Sequence, residues 1–218
     1  MKQAVITGGE RGLGLALSLI LISEGYKVFS LDVVKGPSVK GKDFLKADIS
    51  CEKDVKRVFK KIGAVDLLVN NAAIMRRGDT FNSSVKDFDA LFSVNVKGSW
   101  LVSKYALPLL NNGAQVVMVS SRHSSLPSNP GLYGLSKKNV ELLADLLKKE
   151  GVVKEKKVKV KTAILGPFKT ELSMIGFSEK EYAMRKNVLS KEEVAELVFE
   201  LICGNKKKLL YDKTYLFE

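Results

Sequence analysis

Two cysteines, one histidine and one tryptophan are all that 218 residues hold of those types, and each scarcity removes a class of function. Cys51 and Cys203 lie far apart and form no C-x-x-C pair, which excludes a disulfide framework and a thiolate zinc site. Both read as packed, reduced thiols. His123 cannot build a metal site alone; it reads as a surface-loop residue, with substrate contact as the alternative. No stretch approaches about 18 uninterrupted apolar residues, and no basic region leads into an apolar block and cleavage site at the N-terminus. A cytoplasmic protein without a membrane span is therefore expected. Linkers rich in Pro, Gly or Ser, internal repeats and low-complexity blocks are also missing, so residues 1–218 are expected to form one domain.

Arginine is scarce as well. Lysine supplies 30 of the 36 cationic residues behind the net charge of +12, and it is spread over most of the chain. Specific phosphate or guanine recognition favours the bidentate guanidinium. The excess charge reads as a solvated lysine surface, and no nucleic-acid partner is expected. What is present, 45% hydrophobic and 28% charged residues, is the composition of an ordinary globular protein.

Strand and helix patterns alternate from end to end, which predicts an α/β fold: a doubly wound parallel sheet of about seven strands with helices on both faces. Strands are predicted at Gln3–Thr7, Lys27–Asp32, Asp43–Ala47, Asp66–Asn70, Gln115–Ser120 and Val158–Leu165, with a short last one near Leu209–Tyr211. Ser190 with Glu193, and Ser178 with Glu181, have the spacing of helix capping boxes. The longest irregular region, Gly166–Leu189, carries Phe168, Leu172, Met174, Ile175, Phe177, Tyr182 and Met184, and reads as a lid over a partly apolar substrate.

The segment Thr7-Gly-Gly-Glu-Arg-Gly-Leu-Gly14 joins the first strand to the first helix. Glycines there admit close backbone approach by a pyrophosphate, and the helix N-terminus faces its charge. Its G-x-x-x-G-x-G spacing differs from the common G-x-G-x-x-G fingerprint. Gly8, Arg11, Gly12, Leu13 and Gly14 are the candidate cofactor contacts. Asp32, twenty residues after Gly12 at the end of the second strand, is placed to accept hydrogen bonds from ribose hydroxyls and to repel a 2′-phosphate. Asp32 favours NAD, whereas Arg11 pulls toward NADP, which stays possible. Asp48 is expected at the adenine amino group with Ile49 flanking the ring, and Asn70-Asn71-Ala72-Ala73 closes the fourth strand at the ligand-binding sheet edge.

Tyr133 and Lys137 are four residues apart and share one helical face. A neighbouring cation lowers a tyrosine from about 10 and equips it to exchange a proton with an alcohol or carbonyl. Spacing alone is weak: with 6 Tyr and 30 Lys, about 0.8 Y-x-x-x-K matches are expected by chance, and Tyr182 with Lys186 is a second one. Tyr133 is selected because it follows the buried-type strand Val116–Ser121.

With these motifs in hand the chain resembles the short-chain dehydrogenase/reductase family, main single-domain subfamily, over nearly its whole length. The family's T-G-x-x-x-G-x-G stands as Thr7 to Gly14, its N-N-A-G as Asn70 to Ala73, its helix asparagine as Asn95, and its Ser…Tyr-x-x-x-Lys as Ser121, Tyr133 and Lys137. The resemblance implies Tyr133 as general acid/base and Ser121 as hydrogen-bond partner of the substrate oxygen, with Ser120 its rival. It implies that Lys137 lowers the Tyr pKa and holds the nicotinamide ribose, and that Asn95 anchors a relay water. Gly166 and Thr170 would keep contacts at the nicotinamide end, although the family's P-G is reversed here as Gly166-Pro167. Ala73 replaces the usual Gly, and the C-terminus lacks the family's V-D-G-G ending. A homodimer through the Asn95 and Tyr133 helices is expected, and the tetramer is left open. Trp100 reads as core or dimer interface. The expected activity is interconversion of a secondary alcohol and a ketone or aldehyde, with a small-molecule substrate and NAD preferred. The alternative is a nucleotide-binding redox sensor or regulatory protein on the same fold without significant turnover.

Overall fold

The computed structural model describes residues 1–76, 78–124, 131–170, 172 and 189–204, and the backbone of residues 215–217. Seven strands form one sheet: β1 (Lys2–Thr7), β2 (Tyr26–Asp32), β3 (Lys42–Lys46), β4 (Val65–Asn70), β5 (Leu110–Ser121), β6 (Lys159–Leu165) and β7 (Tyr215–Phe217). Their order is β3-β2-β1-β4-β5-β6-β7. Six strands run parallel and β7 joins antiparallel to β6, an edge addition that parallel sheets tolerate. The last strand was expected near Leu209–Tyr211, which lies outside the described residues; the strand seen is Tyr215–Phe217. Both are three-residue apolar runs, between which periodicity cannot choose.

Strand side chains alternate between two cores because the pleat has a period of two. Val5, Leu31, Leu68, Val116 and Met118 face the helices α2 (Glu52–Phe59), α4 (Ser99–Ala106), α5 (Gly131–Leu147) and α6 (Gly151–Glu155). Ala4, Ile6, Val28, Leu67, Val69, Val117 and Val119 face α1 (Gly12–Ser23) and α7 (Lys191–Cys203). A further helix, α3 (Val85–Leu91), runs into a wide π-type turn, Phe92–Gly98, that leads directly into α4. With both faces covered, the strands read as nearly continuous apolar runs.

Helix α7 begins at the capping box expected from sequence: Glu193 N–H donates to Ser190 Oγ at 3.1 Å, and Ser190 N–H donates to Glu193 Oε2 at 2.7 Å. It ends at Gly204, whose φ of 83° needs glycine. Lys161, buried on β6, donates to the Leu201 carbonyl at 2.6 Å, placing a cation on the negative end of α7. The second capping box, at Ser178, and residues 171 and 173–188 of the expected lid lie outside the described residues. Among the described residues no helix is long and apolar enough to cross a membrane.

One sequence expectation is corrected here. Both cysteines are free but exposed, Cys51 just before α2 and Cys203 at the end of α7, because each sits at a helix terminus on the molecular surface. Glu10, in the glycine turn, is buried with Lys42 of β3 in an ion pair of 3.0 Å, their side chains 3% and 2% exposed. Burial pushes the Glu10 carboxyl up, but the Ser30 hydroxyl, the Gly36 N–H and the Lys42 ammonium together hold it below its ordinary value. The Gly36 N–H donates to Glu10 Oε2 at 2.7 Å, so this carboxylate ties the β2–β3 connection beneath the turn.

Candidate active site

Neighbours β2 and β4 flank β1 on opposite sides, so the chain reverses its winding direction there and opens a crevice at the carboxyl ends of the strands. Thr7, Asp32, Asn70, Ser121 and Leu165 end their strands at this edge.

The glycine turn is built by its neighbours. Gly8 and Gly12 have φ of 67° and 54°. A Cβ on Gly14 would overlap the Gly8 carbonyl oxygen and approach Asn71 Nδ2 to 2.7 Å, so only glycine fits. The Asn71 amide donates to Thr7 O at 2.9 Å and to Gly8 O at 3.3 Å. Thr7 Oγ1 in turn accepts from the Asn71 and Ala72 N–H groups, both at 3.0 Å. Asn71 and Ala72, expected at the cofactor, thus shape the turn itself, and Ala73 follows them along the crevice.

The residues around the turn have the chemistry that a dinucleotide requires. Among the described residues, a Cβ on Gly12 would meet only Thr170 Cγ2, at 4.0 Å, which places Thr170, just past buried Gly166, across from the turn. No side chain caps the first turn of α1 at Arg11, which leaves that helix end suited to a phosphate. Leu13, the next residue of α1, is buried against the sheet. Asp32 is 9% exposed; its Oδ1 accepts from Val33 N–H at 2.8 Å, and its Oδ2 lies 3.4 Å from the Glu10 N–H. Exposed Val33 and Val34 follow it. Asp48 is exposed, with Oδ1 taking two hydrogen bonds from Ser50, at 2.8 Å and 2.7 Å. Ile49 departs from expectation: only 5% exposed, it packs in the core against Gly98 and does not offer its side chain to a ring, because the missing Gly98 side chain leaves a recess that it fills.

Ser121, Tyr133 and Lys137 converge. Ser121 hydrogen-bonds the Tyr133 phenol near the start of α5, whereas Ser120 donates to Glu141 Oε1 at 2.8 Å two turns further along that helix. Geometry therefore separates Ser121 from its rival. Tyr133 and Lys137 are 5% and 3% exposed, and Lys137 Nζ lies 5.9 Å from the Tyr133 ring centroid while donating to Val119 O at 2.9 Å. Burial pushes Tyr133 up to about 12, with the Ser121 hydrogen bond alone acting downward. The expected lowering by Lys137 is absent from this arrangement, because burial dominates and the ammonium is engaged on Val119. Burial likewise lowers Lys137 to about 8.

Asn95 sits in the π-type turn, a distortion that often marks functional positions. Its Oδ1 accepts from Ile74 N–H at 2.9 Å, and its Nδ2 donates to Ile74 O at 3.0 Å and Ser136 Oγ at 2.9 Å. Its carbonyl accepts from Ser99 Oγ at 2.7 Å. The Asn95 side chain thus clamps the loop after β4 to the helix of Tyr133. His123 also departs from the surface-loop reading. Its ring meets the Tyr133 ring edge-on at 6.0 Å, and its carbonyl rests on Gly134, where a side chain would clash. Trp100 is half-exposed on α4 with Lys104 Nζ 5.0 Å from its ring centroid, so it is not core. Glu141, missed from sequence, was legible as the next i+4 step after Tyr133 and Lys137.

A family model described as short chain dehydrogenase matches residues 2–181. The chain belongs to the short-chain dehydrogenase family. It is 31% identical over 153 residues to oxidoreductase UcpA of Salmonella typhimurium, covering 62% of this chain and 58% of that one, so it matches little more than half the length of such relatives. It is 30% identical over 213 residues to the chloroplastic NADPH-dependent aldehyde reductase 2 of Arabidopsis thaliana, covering 82% of this chain and 76% of that one. Among solved structures it resembles 3-ketoacyl-(acyl-carrier-protein) reductase from Brucella melitensis complexed with NADH, with a TM-score of 0.81 at 26% identity over 92% of this chain and 90% of that one.

The Lys137 environment has a consequence for stability. Its folded value, about 8, lies below the ordinary 10.5, so between these values the unfolded chain binds the extra proton and stability rises with pH. Relative to Lys137→Met, the wild type should gain on the order of 2 kcal/mol in urea unfolding between about pH 8 and 10. A difference that stays flat over this window contradicts the assignment.

Proposed function

We propose that this protein is an NAD(P)-dependent oxidoreductase that interconverts a secondary alcohol and a ketone or aldehyde, with NAD preferred. The observation that carries this reading is the burial of Ser121, Tyr133 and Lys137 together at the sheet edge that also holds the glycine turn. The relatives named for NADPH dependence and solved with NADH support a nicotinamide cofactor here. Asp32, followed by two apolar residues, supports NAD: a fixed carboxylate repels a 2′-phosphate, and Val33 and Val34 offer it no cation.

Gly8, Gly12 and Gly14 would receive the pyrophosphate with Arg11 and Leu13 at the helix start, Asp32 the adenosine ribose, Asp48 the adenine, and Gly166 and Thr170 the nicotinamide end. When bound, the nicotinamide supplies or accepts the hydride. Tyr133 exchanges the proton at the substrate oxygen, Ser121 hydrogen-bonds that oxygen as charge develops, and Lys137 would hold the nicotinamide ribose. Asn95 holds the Tyr133 helix in register. With Tyr133 pushed up to about 12, the phenol is the form present at neutral pH, so carbonyl reduction runs at neutral pH and alcohol oxidation gains as pH rises. In this reading the apolar sequence segment 166–189 is the source of substrate selectivity.

A screen of alcohols and carbonyls with both nicotinamide cofactors, read by nicotinamide absorbance, tests the activity. Tyr133→Phe should lower turnover by roughly 10²- to 10⁴-fold while NADH binding stays unchanged; turnover preserved in that variant overturns the role of Tyr133. The half-exposed Trp100, Leu135, Leu142 and Leu146 on α4 and α5 support a homodimer through these helices. Sedimentation should give a dimer that Leu142→Glu with Leu146→Glu converts to monomer, and a monomeric wild type rejects that interface.

A further inference from the structure

Tyr133, Lys137 and Glu141 stand at successive i+4 positions of α5, yet the chemistry above uses only the first two. The Glu141 side chain is 12% exposed, and each of its oxygens is engaged. Oε1 accepts from Ser120 Oγ at 2.8 Å and from Ser124 Oγ, and Oε2 pairs with Lys138 Nζ at 2.8 Å. Ser120 immediately precedes Ser121 at the end of β5, and Ser124 closes the short turn Arg122–Ser124 that follows it. Both hydroxyls that flank Ser121 are therefore tied to one carboxylate on the helix that carries Tyr133.

We propose that Glu141 is a positioning residue: it binds the end of β5 and the following turn to α5, and thereby fixes Ser121 against the Tyr133 phenol. The proposal rests on the reading of Ser121 and Tyr133 as the proton-transfer pair. Strand geometry makes the link mechanical. Ser120 and Ser121 are adjacent at the strand end and both meet α5, so anchoring the Ser120 hydroxyl to Glu141 fixes the strand end and with it the approach of Ser121 to Tyr133. A carboxylate suits the task because it only accepts, and one oxygen has lone pairs for two hydroxyl donors. Ser120 Oγ also lies 3.2 Å from the Lys137 carbonyl, so loss of Glu141 leaves that buried hydroxyl a partner and the fold can survive. Half-buried Ser124 has solvent available in the same event.

The test reads the Ser121–Tyr133 contact with and without turnover. Tyrosine labelled with ¹³C at Cζ reports the hydrogen bonding of each phenol, Tyr133→Phe assigns the resonance, and Ser121→Ala marks its position when the contact is lost. Glu141→Ala should move the Tyr133 resonance at least half of that distance. It should lower kcat roughly ten- to a hundredfold, the cost of a small misplacement, while the Kd for NADH is unchanged. Glu141→Gln keeps an acceptor oxygen and should restore both. If Glu141→Ala does not fold, Ser124→Ala removes one of the two ties and should give a smaller displacement in the same direction. An unmoved resonance in Glu141→Ala, a Gln variant as impaired as Ala, or kcat falling only in step with cofactor affinity overturns the proposal. A wild type that binds neither NADH nor NADPH removes the functional reading, whereas the resonance comparison still decides the role of Glu141.

Discussion

The rest of this structure depends on one close approach, the backbone of Gly14 lying over the carbonyl of Gly8 with the Asn71 amide beside it. No side chain fits between them, so the first turn of α1 packs directly against the ends of β1 and β4. Thr7 completes the stitch by accepting from the two N–H groups that follow β4. The crevice at the winding reversal thus has a rigid floor, and the dipole of α1 is aimed across it. Glu10 and Lys42 hold the outer side of the same turn from below, which couples the turn to the edge strand β3.

On the opposite wall the organising principle is polar and not steric. Asn95 joins the loop after β4 to Ser136, Ser136 donates to the Tyr133 carbonyl at 2.8 Å, and Ser120 and Ser124 converge on Glu141. Asn95, Ser120 and Ser136 are buried and paired inside the protein, which holds the wall in one arrangement. Tyr133 and Lys137 are consequently held in a dry, defined place, and that dryness shifts one group up and the other down. Burial both fixes the geometry and sets the protonation of the site.

Much of this was legible in the sequence, for reasons specific to particular residues. The central strands declared themselves through apolar runs that parallel burial on two faces requires, and Ser190 with Glu193 marked a helix start that local hydrogen bonds alone specify. The spacing of Gly8, Gly12 and Gly14 was informative because each position meets a separate backbone demand. What local pattern could not convey was long-range pairing. Lys42 reaches Glu10 across 32 residues, and Asn95 reaches Ser136 across 41. Ile49 turns inward because Gly98, far along the chain, leaves room for it. The Tyr133 environment was misjudged for a related reason: proximity to Lys137 is a local inference, whereas the burial that outweighs it comes from the whole fold.

The central claim is that the crevice beside the glycine turn is a cradle for a nicotinamide dinucleotide, selected toward NAD by Asp32. Calorimetric titration of the wild-type protein with NADH and, separately, with NADPH tests it most directly. The account predicts one saturable site per chain, with NADH bound about tenfold or more tightly than NADPH, as a single repulsive carboxylate implies. No binding of either dinucleotide would contradict it.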